Sequence, residues 1–322
     1  MPFGYVPDYR DRRDLVSTLK DIYLRLFGMP FYAQRVGSRF VFHTLGQVKG
    51  QKVLDAGCGD GLFSIELAQK GAIVYGVDIS EPALNRARSR VQQLQLDHRI
   101  CLLRASAAQL PFATSYFDSI ICHSVLEHIP DDVESLKEMN RVLKPSGRLV
   151  LTVPADFETA NRIFPRLAKA LLRLPRKVRA KIGSRPLVEA ESLLQFCSLV
   201  IERYNQRFGY SEEDIPNKLQ MAGFESTSFR HLLKMFGIAP LDLTDALSCF
   251  DVTYTEAEAF GYVAKHEWII GLCFPIFYAI SYLDSILPPG APGVALGITA
   301  RKQLSVSQES KGTECGIAIA LS

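Results

Sequence analysis

The sequence has almost no net charge. Its 37 Lys and Arg stand against 34 Asp and Glu, leaving +3. The chain as a whole therefore has no field for a polyanion, and any case for nucleic acid must rest on a local cluster. No CxxC pair occurs. The seven cysteines (58, 101, 122, 197, 249, 273 and 315) are scattered and odd in number. This excludes a zinc cage and a disulfide framework, and predicts a reducing, cytoplasmic compartment. Met1 to Asp14 is charged and lacks an apolar core, so no secretory signal is expected. There is no internal repeat. What remains is an ordinary globular composition, 48% hydrophobic and 22% charged over 322 residues. That is enough for one α/β domain with insertions.

The order of elements gives the class. Leu15, Leu19, Ile22, Leu26 and Phe27 recur at helical spacing before Gly28 and Pro30, and a second apolar stretch runs through Phe31, Val36, Phe40, Val41 and Leu45. These predict a helical cap over 1–46. Strand–helix alternation starts at Gln51. Strands are expected at 52–56, 73–78, 99–104, 117–122 and 148–153, with helices at 62–70, 82–94 and 133–143 and a turn at Lys144-Pro145-Ser146-Gly147. Two further strands are expected at 223–233 and 294–302. The prediction is an α/β fold, a Rossmann-like sheet of seven mostly parallel strands whose ligand lies beyond their carboxyl ends. Helical insertions fill about 155–222 and 234–293, and 303–322 reads as a flexible tail.

Val53-Leu54-Asp55-Ala56-Gly57-Cys58-Gly59-Asp60-Gly61 is the strongest signal. A buried strand runs through alternating glycines into a helix, so backbone can approach a ligand beside free N–H groups. The dinucleotide pattern G-x-G-x-x-G would need its third glycine at position 62, which is Leu62. Asp55 and Asp60 line the loop instead, which suits a ligand carrying an ammonium and a sulfonium better than one with two phosphates. Asp78 ends the next strand, placed to accept from both hydroxyls of a ribose.

With these features the chain resembles the class I S-adenosylmethionine-dependent methyltransferases, in particular their type 11 small-molecule branch. The resemblance covers about 51–154. It includes Tyr75-Gly76-Val77-Asp78-Ile79-Ser80, Leu110-Pro111-Phe112, Tyr116-Phe117-Asp118, Val125-Leu126-Glu127-His128-Ile129 and Arg141-Val142-Leu143-Lys144-Pro145-Ser146-Gly147, in the family's order. It implies a methyltransferase domain over 47–302 with S-adenosylmethionine as cofactor. Asp55, Gly57, Cys58 and Gly59 would surround the methionine end. Asp78 and Ile79 would take the ribose and the adenine face. Ser106, followed by Ala107, stands where the family usually has an acid for the adenine amino group. His123 would lie near the sulfonium methyl.

Methyl transfer from a sulfonium needs alignment more than covalent help. Glu127 and His128 are the candidate catalytic pair, with His128 as a general base; the plainer reading is that both orient their loop. A quinone-biosynthesis O-methyltransferase subgroup looks similar here but carries an extra glutamate where this chain has Ser124. Two remaining ligands are too few for a metal site, so none is expected.

Arg162 to Arg185 holds nine Lys or Arg and no acid, with Ile163, Phe164, Leu167, Leu171 and Leu172 on one helical face. A basic amphipathic helix is a membrane-surface pattern, though a solvated basic face is the plainer reading. Trp268 to Leu283 is free of formal charge. As a helix it spans about 24 Å, short of a ~30 Å hydrocarbon core. It reads as buried or interfacial, and 162–185 with 268–287 define a peripheral membrane contact. RNA is disfavoured, because aromatic interleaving is sparse. The expected acceptor is a small apolar or amphiphilic molecule such as a lipid, quinone, isoprenoid or polyketide-like metabolite. The rivals are a soluble natural-product enzyme, an RNA methyltransferase and a non-catalytic S-adenosylmethionine-binding module.

Overall fold

A computed structural model describes residues 32–155, 209–232 and 295–303, with positions 175 and 177. The expected first helix, the basic segment 162–185 (apart from positions 175 and 177), the apolar segment 268–287 and the tail beyond 303 lie outside the described residues.

Seven strands form one sheet: β1 (Lys52–Ala56), β2 (Ile73–Asp78), β3 (Ile100–Arg104), β4 (Phe117–His123), β5 (Leu143–Pro154), β6 (Phe224–Leu232) and β7 (Ala295–Lys302). Their order is β3-β2-β1-β4-β5-β7-β6. β1 to β5 pair in parallel, whereas β7 runs antiparallel to both β5 and β6. The order reverses at β1, so the carboxyl ends of β1 and β4 flank the crevice where ligands bind in open α/β sheets.

Side-chain alternation along the strands builds two cores. Val53, Val74, Ile121 and Val150 face one side, with α1 (Tyr32–Leu45) and α2 (Leu62–Gln69). Leu54, Ile120, Cys122, Leu149 and Leu151 face the other, with α4 (Asp132–Val142) and α5 (Asp214–Met221). The period of two makes adjacent residues serve opposite cores, which fixes the register. α3 (Glu81–Gln93) starts as the sequence predicts: the Ser80 hydroxyl accepts from the Ala83 N–H at 3.4 Å, and Pro82 sits in the first turn. Asp131 caps α4 in the same way, through the Glu134 N–H.

Two local expectations need correction. The helix expected from Val133 to Leu143 ends at Val142, and the predicted turn 144–147 lies inside β5. Leu143 pairs with Phe117 but Arg148 pairs with Ser119, so Lys144 to Gly147 bulge out of the ladder. Pro145 and Gly147 marked the irregularity, but not that hydrogen bonding resumes on both sides of it.

The described part of the expected cap, α1, packs on the sheet itself. Val36, Phe40, Val41 and Leu45 fall on its buried face. The Phe40 ring rests on Gly297 of β7, Phe42 stacks on Phe63 of α2 at 5.6 Å, and Arg148 donates to the Thr44 carbonyl.

Candidate cofactor and active site

β1 delivers the chain to Gly57 at the carboxyl edge of the sheet. The N–H groups of Gly57 and Cys58 both donate to the Val77 carbonyl, at 2.8 and 2.9 Å. This stitches the loop to the end of β2. Gly57 has φ +80°, and a Cβ there would lie 2.3 Å from a Val125 methyl. Glycine is therefore required twice over, by backbone and by space.

Asp78 locks the loop from the other side. One carboxylate oxygen accepts from the Gly59 N–H and the other from the Ser80 N–H, each at 2.8 Å. Each oxygen keeps a lone pair, so a ribose diol can still be received. Ile79 is 70% exposed at the same edge, and a Cβ on Gly59 would meet nothing within 4 Å. An isolated apolar side chain beside an accepting carboxylate and open space above glycine backbone fit an adenosine. Ser106 is exposed, with its hydroxyl accepting from the Ala108 N–H at 3.2 Å, and Ala107 is buried behind it.

The two loop acids behave differently from the sequence reading. Asp60 turns outward and pairs with Arg86 at 2.8 Å and Arg90 at 3.3 Å, both on α3. Asp55 is 2% exposed and accepts from the Ser64 hydroxyl at 2.6 Å. The bond ties β1 to the first turn of α2, which has no side-chain cap. Burial raises the Asp55 pKa to about 7, against the opposing Ser64 hydrogen bonds and with a smaller push from Asp78. The Cys58 sulfur packs against the face of Gly76 on β2, and burial pushes its thiol up. Its backbone is engaged too, the N–H donating to the Val77 carbonyl and the carbonyl accepting from the Gly61 N–H.

Beyond β4 the chain enters Ser124 at φ 51°, a left-handed conformation costing roughly 1–2 kcal/mol for a residue with a side chain. Its N–H donates to the Thr152 carbonyl at 3.0 Å. Leu126–His128 then form one 3-10 turn. The turn separates the two catalytic candidates. Glu127 points inward, 1% exposed, with no hydrogen-bond partner for Oε2 among the described residues, and burial raises its pKa to about 7. His128 is exposed. His123 closes β4, and its Nδ1 shares a 2.6 Å hydrogen bond with the Thr152 hydroxyl. Burial pushes its pKa down to about 4. Among the described residues no three His, Cys, Asp or Glu side chains converge as a metal site would require.

Sequence reasoning missed one part of this neighbourhood. Asp132, buried at the start of α4, accepts from the Tyr210 hydroxyl at 3.0 Å and from Lys218 at 2.9 Å. Tyr210 also bridges to Ala155 just past β5. This ties the chain re-entering at 209 to the rim of the crevice. The partners are 78 and 86 residues apart in sequence, and no local pattern announces them.

A parallel sheet ending in a reversed strand, with a glycine loop after β1 and a ribose-type acid after β2, defines an S-adenosylmethionine-dependent methyltransferase. The chain belongs to class I of these enzymes, and S-adenosylmethionine is its cofactor. Residues 54–151 match the model of a methyltransferase domain. The chain is 30% identical over 202 residues to the ubiquinone/menaquinone biosynthesis C-methyltransferase UbiE of Vibrio vulnificus, covering 62% of this chain and 73% of that one. It is 39% identical over 117 residues to the ubiquinone biosynthesis O-methyltransferase of an Azoarcus species, covering 36% and 46%. Among solved structures, a Haemonchus contortus phosphoethanolamine N-methyltransferase in complex with S-adenosylhomocysteine shares the fold, with TM-score 0.55, 17% identity and coverage of 95% and 62%. Among the described residues no helix is long and apolar enough to cross a membrane.

Proposed function

We propose that this enzyme methylates a ring carbon of a quinol-type acceptor bearing an apolar tail. The observation that carries the reading is the likeness to the quinone C-methyltransferase, which spans 73% of that relative, against 46% of the O-methyltransferase. Ser124, in place of the carboxylate expected of the O-methyltransferase subgroup, supports the same choice.

Bound S-adenosylmethionine supplies an electrophilic methyl carbon on a sulfonium. The chain's own part begins with Asp78, which receives the ribose while it holds Gly59 and Ser80 in place. Ile79 gives the adenine an apolar face, and the N-terminal end of α2 lies beside the methionine end. Gly57, packed on Val125, couples the cofactor loop to the loop that follows β4. We assign Glu127 the proton released when the ring is methylated, received at Oε2. A carboxyl with a pKa near 7 suits that task at neutral pH. His128 is left with the role of orienting the turn. A basic amphipathic helix over 162–185 and the apolar 268–287 would hold the enzyme at the bilayer surface, where a tailed acceptor resides.

The test is methyl transfer from isotope-labelled S-adenosylmethionine to geranyl hydroquinone and to unsubstituted hydroquinone, each offered in anionic liposomes and in neutral detergent. Label on a ring carbon of the geranyl compound, formed faster in liposomes, is the expected result. S-adenosylhomocysteine released with a polar cell extract but with neither quinol would overturn the reading.

A further inference from the structure

His123 is gripped on three sides. Its Nδ1 is bonded to Thr152 of β5 at 2.6 Å. Its ring lies 4.7 Å from the Phe63 ring in the first turn of α2, and Phe63 in turn stacks on Phe42 of α1. Above it sits Gly37 of α1. A Cβ at Gly37 would come within 2.4 Å of the imidazole Cε1, so only glycine lets the helix descend this far. A glycine in a helix interior costs roughly 0.5–1 kcal/mol relative to alanine, so the close approach is bought with helix stability. Among the described residues nothing bonds Nε2.

The position is as telling as the grip. β4 ends at His123, two residues beyond the Ile121 that pairs with Asp55 of β1. The ring therefore stands at the carboxyl edge of the sheet, against α1 and the first turn of α2. Burial keeps it uncharged at neutral pH, so it does not repel a sulfonium.

We propose that His123 recognises the methyl acceptor, offering Nε2 to a hydroxyl or carbonyl oxygen of its ring while Thr152, Phe63 and Gly37 hold the imidazole still. This rests on the quinol reading above and adds to it the residue that orients the acceptor. An imidazole with one nitrogen fixed and the other free has a defined direction, which a mobile side chain lacks. The tautomer is set by whichever role Thr152 takes, so the same device serves a hydroxyl or a carbonyl.

The experiment compares wild type with His123→Phe and His123→Gln, using geranyl hydroquinone as acceptor and calorimetry for S-adenosylmethionine. Phe keeps the ring packing and removes both nitrogens, whereas Gln restores a polar group near the Nε2 position. His123→Phe should lower kcat/KM for the quinol about tenfold, the loss expected for one neutral hydrogen bond. Its affinity for S-adenosylmethionine should stay within about twofold, and His123→Gln should recover part of the rate. Unchanged kcat/KM in His123→Phe would reduce His123 to packing, and a parallel loss of cofactor affinity would move it to the cofactor site. Should His123→Phe fail to fold, wild-type protein with 15N-labelled histidine decides. The Nε2 resonance should move when geranyl hydroquinone joins the S-adenosylhomocysteine complex and not when S-adenosylhomocysteine binds alone; the reverse overturns the proposal. A wild-type enzyme inert towards the quinol would overturn the acceptor reading and this inference with it. Activity with an indifferent His123→Phe would overturn the inference only.

Discussion

Two buried carboxyls, Asp55 and Glu127, sit behind the cofactor loop with their pKa values raised to about 7, in each case chiefly by burial. Burial pushes up the thiol of Cys122, and the two carboxyls add to that push. An acid whose folded pKa lies above its unfolded value binds more protons folded than unfolded. Its contribution to stability is therefore fully present below the unfolded pKa and is lost as pH rises through the folded one. For Glu127 that window runs from about 4.5 to about 7. A shift of this size corresponds to a few kcal/mol at most. Glu127→Gln should therefore flatten the fall in stability between pH 5 and 8 and raise the melting temperature at pH 8. If Glu127 takes the proton in methyl transfer, the same variant should lose on the order of 10²–10⁴ in kcat. Thermal melts at pH 5, 6.5 and 8 with turnover at pH 8 check both. A variant with the wild-type slope would remove Glu127 from the buried, unpartnered position described.

The sequence made some of these residues legible and hid others for definite reasons. Asp78 and Ile79 close a strand, and a strand's end is visible in its pattern. Asp60 looked like a loop acid because its partners Arg86 and Arg90 belong to the next helix, which a reading of the loop alone does not bring into contact. Glu127 and His128 were indistinguishable in sequence, because only the 3-10 turn decides which of two neighbours faces inward. His123 gains its meaning from Thr152, 29 residues away and adjacent only through the β4–β5 register.

At the scale of elements, the glycine loop and the loop after β4 form one unit, because Val125 fills the space where a Gly57 side chain would go. Gly57→Ala should cost about 2–4 kcal/mol, combining the left-handed backbone strain with overpacking. Val125→Ala, itself destabilising, should relieve the overpacking but not the strain when combined with Gly57→Ala. The double variant should therefore be more stable than the sum of the single losses allows, by roughly 1 kcal/mol or more. Urea unfolding of the four proteins measures this, and simple additivity would show that the two loops do not touch. β1, β4 and the second half of β5 were readable because burial on both faces leaves continuous apolar runs, whereas β6, with Glu225, Ser226, Thr227 and Ser228 in its middle, was placed by the Ala222-Gly223 turn before it. The β5 bulge was not, since proline and glycine announce a break without saying whether the ladder resumes. α1 was readable as a helix. Its seat on the sheet was not, because contacts such as Phe40 on Gly297 join distant segments.

At the scale of the whole molecule, the seven strands and the mostly parallel sheet were legible in the run of alternating elements followed by two late strands, whereas the strand order and the reversal of β7 depend on pairings between distant segments and emerged only from the structure. The account turns on one site: the carboxyl edge where Asp78 joins β2, the glycine loop and α3. Titration calorimetry of S-adenosylmethionine and NADH into wild type and Asp78→Ala tests it most directly, with far-ultraviolet circular dichroism as the check on folding. Wild type should bind S-adenosylmethionine and not NADH. Asp78→Ala should weaken S-adenosylmethionine by roughly 1.5–3 kcal/mol, the range for hydrogen bonds to a charged group. Unchanged affinity in a folded Asp78→Ala protein, or tight binding of NADH by wild type, would contradict the cofactor site described.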